Sequence, residues 1–64
     1  MSHTNHAREA TCLAEMAVNQ IIVPESQLSA DRLENAAFYL EQAQIQANLA
    51  LAALRRETAT ENAA

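Results

Sequence analysis

Pro24 divides this chain into two stretches that each repeat apolar residues at spacings of three and four, and no glycine is present to make the tight turns of a β-fold. Proline lacks a backbone N–H and disfavours the α conformation in the residue before it, so a helix reaching it must stop near Ile22 or Val23. The expected fold class is therefore all-α: an antiparallel two-helix hairpin in one domain, with helix one over about residues 5–22 and helix two over about 30–57. Thr4 or Asn5 is placed to cap helix one, with Met1 to Thr4 loose before it. Pro24 to Leu28 forms the connection, Ser29 caps helix two, and Asp31 meets the positive end of its dipole. Pro24 would also suit the first position of helix two, which would lengthen that helix by about a turn and a half. Arg55 and Arg56 are expected at the negative end of helix two, and the tail over 58–64 is expected to fray.

In helix one, Ala7, Ala10, Leu13, Ala14, Ala17 and Ile21 lie along one stripe. In helix two, alternate steps of three and four from Leu33 reach Ala36, Leu40, Ala43, Ala47, Ala50 and Leu54, a heptad seam in which small and large residues alternate. The expected hairpin or bundle seam is thus Leu13, Ala17, Ile21, Leu33, Ala36, Leu40, Ala43, Ala47, Ala50 and Leu54. Phe38, Ile45, Leu49 and Ala52 form a weaker stripe roughly opposite, beside Tyr39 as an aromatic anchor. Helix two also outruns helix one, so Leu49 to Leu54, including Leu51, is expected to overhang without cover.

At 64 residues the chain falls below the roughly 70–80 residues at which one core begins to suffice. Cys12 is the only cysteine, so no internal disulfide can supplement that core. A second chain can, and the expectation is a homodimer in which two hairpins make a four-helix bundle, with Phe38, Tyr39, Ile45, Leu49, Leu51 and Ala52 at a dimer or partner interface. In length and in Ala/Leu layering the chain resembles the Rop type of RNA-binding four-helix bundle dimer. That resemblance of shape implies a bundle, and it would imply RNA binding if basic residues lined one bundle face. Arg8, Arg32, Arg55 and Arg56 are the only basic side chains apart from histidine, and the net charge is −4, so nucleic acid is a poor fit.

Other chemistry finds little support. His3, His6 and Cys12 are one ligand short of a zinc site and read as two exposed histidines in a frayed segment and a small, buried or half-buried cysteine. Neither histidine follows a glutamate at the spacing of a di-iron bundle. A hairpin without glycine has little means to build a catalytic cleft, so neither an enzyme nor a cofactor is expected. The acidic residues are spread along both helices as a solvated surface. The longest uncharged run, Gln42 to Leu54, is short for a membrane span and is interrupted by amides. With no basic segment followed by an apolar core at the N-terminus, and a free cysteine suited to a reducing compartment, the expected location is the cytoplasm. The expected function is that of a small regulatory protein, of the kind phages and mobile elements encode, that dimerises and inhibits or recruits another protein through an apolar helix face. A structural subunit of a larger assembly is the further alternative.

Overall fold

The structure, a computed structural model, describes the backbone of residues 2–63 and the side chains of residues 3–59. Helix α1 (Ser2–Ile21) is followed by a 3₁₀ turn (Glu25–Gln27) and helix α2 (Ala30–Ala63). The helices pack against each other antiparallel, so the fold is the all-α hairpin that the proline and the two apolar repeats predict.

The connection follows local chemistry. Ile22 still donates its N–H to Val18 O at 2.8 Å. Pro24 then adopts φ −55° and ψ 145° and opens the 3₁₀ turn, with Gln27 N–H on Pro24 O at 2.8 Å and Leu28 N–H on Glu25 O at 3.1 Å. Pro24 thus belongs to the connection and not to the first turn of α2. Ser29 caps α2 as expected, its Oγ accepting the Arg32 N–H at 3.2 Å. Arg32 in turn reaches back across the hairpin and donates to Gln20 O at 3.0 Å. The last carbonyls of a helix lack intrahelical donors and carry partial negative charge, and α1 has no basic residue in its own last turn. Arg32 supplies that charge from the neighbouring helix.

Both helices run longer than expected. α1 begins at Ser2, so Thr4 and Asn5 lie within it rather than capping it. Contacts across the hairpin hold this first turn: His6 Nδ1 lies 2.7 Å from Gln46 Oε1, and His3 Nδ1 lies 2.6 Å from Glu57 Oε2. His3 and His6 are accordingly half-buried and not loose. α2 continues through 58–63, where neither glycine nor proline interrupts it, so the expected fraying is replaced by helix. Arg55 and Arg56 consequently lie inside α2, whose last turn has no basic residue. Met1 and Ala64, also expected to be loose, lie outside the described residues.

The core is made of small side chains. Ala17 (1% exposed), Ala36, Ala43 and Ala53 (2%) are the only buried residues among those described. The Cα trace measures 57 × 13 × 12 Å. Subtracting two Cα radii of ~2.3 Å from the width leaves an interaxial distance of about 8 Å, the close end of helix packing. Alanine permits that approach, and the same closeness leaves little room for large side chains between the axes, where Leu13 and Tyr39 are only half-buried. Accessible surface totals 4835 Å², against roughly 4,000 Å² for a compact monomer of this mass.

Candidate functional site

The seam between the helices is shifted from the one the heptad predicts. On α2 the half-buried and buried positions are Arg32, Ala36, Tyr39, Gln42, Ala43, Gln46, Ala50, Ala52, Ala53 and Glu57, of which Gln42 and Ala52 flank the seam; on α1 they include His3, His6, Ala10, Leu13, Ala14, Ala17 and Gln20. Leu13, Ala17, Ala36, Ala43 and Ala50 are where the repeat places them. Leu33, Leu40, Ala47 and Leu54 are not between the two helices of the hairpin, and this corrects the expectation: each is exposed, Leu33 and Leu40 at 51%. Ile21 is exposed as well.

Half of the repeat is kept and the other half moves by one residue, which amounts to turning α2 by roughly 50° about its axis at ~100° per residue. The turn has a physical cause. The longer polar side chains Arg32 and Gln46 occupy two of the displaced positions, and Glu57 continues the retained repeat; each has a partner on α1: Gln20 O, His6 and His3. His3 and Glu57 meet because side chains lean toward the N-terminus of their own helix, so in an antiparallel pair they lean toward one another. The buried His3 Nδ1 sits at contact distance from the carboxylate without the alignment of a hydrogen bond. With its amide oxygen facing the ring, Gln46 accepts the proton on His6 Nδ1.

The earlier start of α1 brings it alongside part of the expected overhang, although α2, with 34 residues, still outruns the 20 residues of α1. Ala53 is buried and Ala50, Ala52 and Glu57 are half-buried. The region over 49–54 is therefore covered on its inner side, while Leu49, Leu51 and Leu54 remain exposed.

Outside the seam the hairpin has two broad faces. An antiparallel pair has a local twofold axis perpendicular to the plane of the two helices. Positions that follow seam residues on either helix therefore share one face, and positions that precede them share the other. The first face carries Ala7, Thr11, Ala14, Val18 and Ile21 from α1, and Leu33, Ala37, Leu40, Gln44, Ala47, Leu51 and Leu54 from α2. It holds no charged residue among the described side chains. Glu61 takes the next step of that repeat, where the described side chains have ended. The second face carries Cys12 and Met16 with Glu9, Asn5 and Asn19 from α1, and Phe38, Ile45, Leu49 and Ala52 with Asp31, Asn35, Gln42 and Arg56 from α2. Arg8, Glu15, Glu34, Glu41 and Arg55 occupy the outer ridges.

The candidate interface residues are thus divided. Phe38, 57% exposed, shares the second face with Ile45, Leu49 and Ala52, while Leu51 belongs to the first face. Tyr39 is half-buried at the seam, its ring 5.8 Å from that of Phe38 in an edge-to-face arrangement. Cys12 is exposed, where a buried or half-buried side chain was expected. Among the described residues, no three His, Cys, Asp or Glu side chains gather as a metal site would require, and no helix is long and apolar enough to cross a membrane. Sequence reasoning missed the seam roles of His3, His6, Arg32, Gln46 and Glu57. Their partners lie far along the chain, as with His6 and Gln46, and no local pattern joins them.

No family model, curated protein or solved structure matches the chain.

Proposed function

We propose that this protein acts by association and not by catalysis, becoming a stable unit when further helices pack on its hairpin, a second copy of itself among them. As such a dimer it binds another protein through its remaining apolar surface and so inhibits or recruits it, in the reducing aqueous setting of the cytoplasm. The observation that carries this reading is the inversion of the usual core. The buried side chains are alanines, while Met16, Val18, Ile21, Leu33, Phe38, Leu40, Ile45, Leu49, Leu51 and Leu54 stay exposed along the rod.

Magnitudes favour covering that surface. Fully burying a large aliphatic side chain contributes ~1.5–3 kcal/mol, so each half-exposed one leaves about 1 kcal/mol unused. A hairpin whose fully buried side chains are alanines has little apolar burial to set against the entropy of ordering its chain. Packing another apolar helix surface on the rod draws on several of these contributions together.

The test is thermal unfolding followed by helical circular dichroism over about a hundredfold range of protein concentration, with sedimentation at the same concentrations. Association linked to folding raises the midpoint with concentration. A midpoint independent of concentration, in a fully helical species with the mass of one chain, would reject the coupling of folding to self-association.

A further inference from the structure

The association reading, on which this inference rests, leaves open which face meets the second copy. We propose that it is the charge-free face, so that two hairpins pack through Leu33, Leu40, Ala47, Leu54 and Val18 into a four-helix bundle and leave the Phe38 face outward.

Charge is the first argument. The chain carries a net −4, and a twofold dimer places each surface patch against its own copy. The Phe38 face would bring Glu9, Asp31 and Arg56 into an interface, where charge of either sign is costly to bury. The other face brings none among the described side chains. Over the described side chains, it is the surface this acidic molecule can lay against itself while keeping carboxylates in water.

Area is the second. The 20 residues of α1 make the rod two helices, or ~20 Å, wide over only about 30 Å, and the rest of the 34-residue α2 adds a single helix about 20 Å long, so one face presents on the order of 800 Å² to a partner. Two copies would bury roughly 1,600 Å² in total, the size of an ordinary stable interface. The third argument is continuity. Leu33, Leu40, Ala47 and Leu54 share one heptad repeat with Ala36, Ala43 and Ala50, which are packed at the seam between α1 and α2. The repeat passes from the hairpin seam directly onto this face, and a helix in a four-helix bundle needs such a widened stripe because it has two neighbours to meet. The second face has no such link: its apolar residues are interrupted by Asn35, Gln42 and Arg56.

Sedimentation equilibrium of the full chain decides between the faces. The wild type is expected to be a dimer at micromolar concentration. Leu40→Glu with Leu54→Glu should weaken dimerisation at least about 100-fold, whereas Phe38→Glu with Leu49→Glu should leave it within roughly threefold. Should the first variant lose its helices altogether, mixing it with a Leu40→Lys, Leu54→Lys chain should restore a helical one-to-one dimer, read by native mass spectrometry. A mixture that stays unfolded or unpaired overturns the proposal. If the Phe38/Leu49 variant dissociates and the Leu40/Leu54 variant does not, the face assignment falls while association stands. A folded wild-type monomer at about 100 μM, a concentration that detects Kd values well above micromolar, overturns both self-association and this assignment, and leaves the face to a different protein.

Discussion

The two broad faces of this hairpin are built from the same helices and differ chiefly in where charge is allowed. One carries Leu33, Leu40, Leu51, Leu54, Val18 and Ile21 with no charged side chain among those described; the other carries Phe38, Ile45, Leu49 and Met16 among Glu9, Asp31 and Arg56. Exposed apolar area alone does not separate them, since Phe38 is more exposed than Leu40. What separates them is the cost of removing their neighbours from water, because a carboxylate drawn into an interface loses hydration that a leucine does not have. An apolar face with charges scattered through it suits contacts that leave its rim wet, and a face without them suits full burial.

The difference between the faces is most sensitive at the centre of the charge-poor one. Ala47→Glu places one carboxylate on the charge-free face of each chain, two per dimer, and is expected to destabilise the dimer by about 3 kcal/mol or more, measured as the loss of concentration dependence in thermal unfolding. Hairpin formation should be affected far less, because Ala47 is exposed in the single chain. Ala43→Leu attacks the seam instead. With the axes about 8 Å apart, a leucine there forces the helices to separate, at a cost of roughly 1–3 kcal/mol, read as a lower melting midpoint at every concentration. These two variants distinguish a face from a seam by whether the loss depends on concentration.

Arg32→Met keeps the aliphatic reach and removes the guanidinium that caps α1 at Gln20 O. It should cost about 1–2 kcal/mol and show itself as faster amide exchange in the last turn of α1, with the dimer constant nearly unchanged. Cys12→Ser closes the series. Exposed on the outward face, Cys12 should tolerate the change within about 0.5 kcal/mol of stability. A large loss at Cys12 would mean that the second face is covered after all.

The positions where sequence reasoning and structure part company lie along one line of α2. The 3–4 repeat marks an apolar stripe about 100° wide, broader than one neighbouring helix can cover. Periodicity finds such a stripe but does not say which edge of it meets α1. Alanines at 36, 43 and 50 belong to both the expected and the observed seam, so they were legible. Leu33, Leu40, Ala47 and Leu54 are apolar and in register, which is all that periodicity can see, and Arg32 and Gln46 with their partners on α1 take two of the places beside them. The His6–Gln46 and Arg32–Gln20 contacts exist only once the chain has folded back on itself. The histidines were read as loose for the same reason, since what orders them comes from the other helix.

From its residues alone this protein was determined to be a helical hairpin: two apolar repeats, one proline between them, a serine cap, and no glycine to turn a strand. Those are local steric and hydrogen-bonding constraints, and they act on a few neighbouring residues at a time. Tertiary structure decided the rotation of α2 about its own axis. That rotation sets alanines in the seam and turns Leu33, Leu40 and Leu54 outward onto a face free of charge among the described side chains. It depends on side chains brought together from distant parts of the chain, where a few polar contacts outweigh the pull of leucines that close-packed axes have little room to admit.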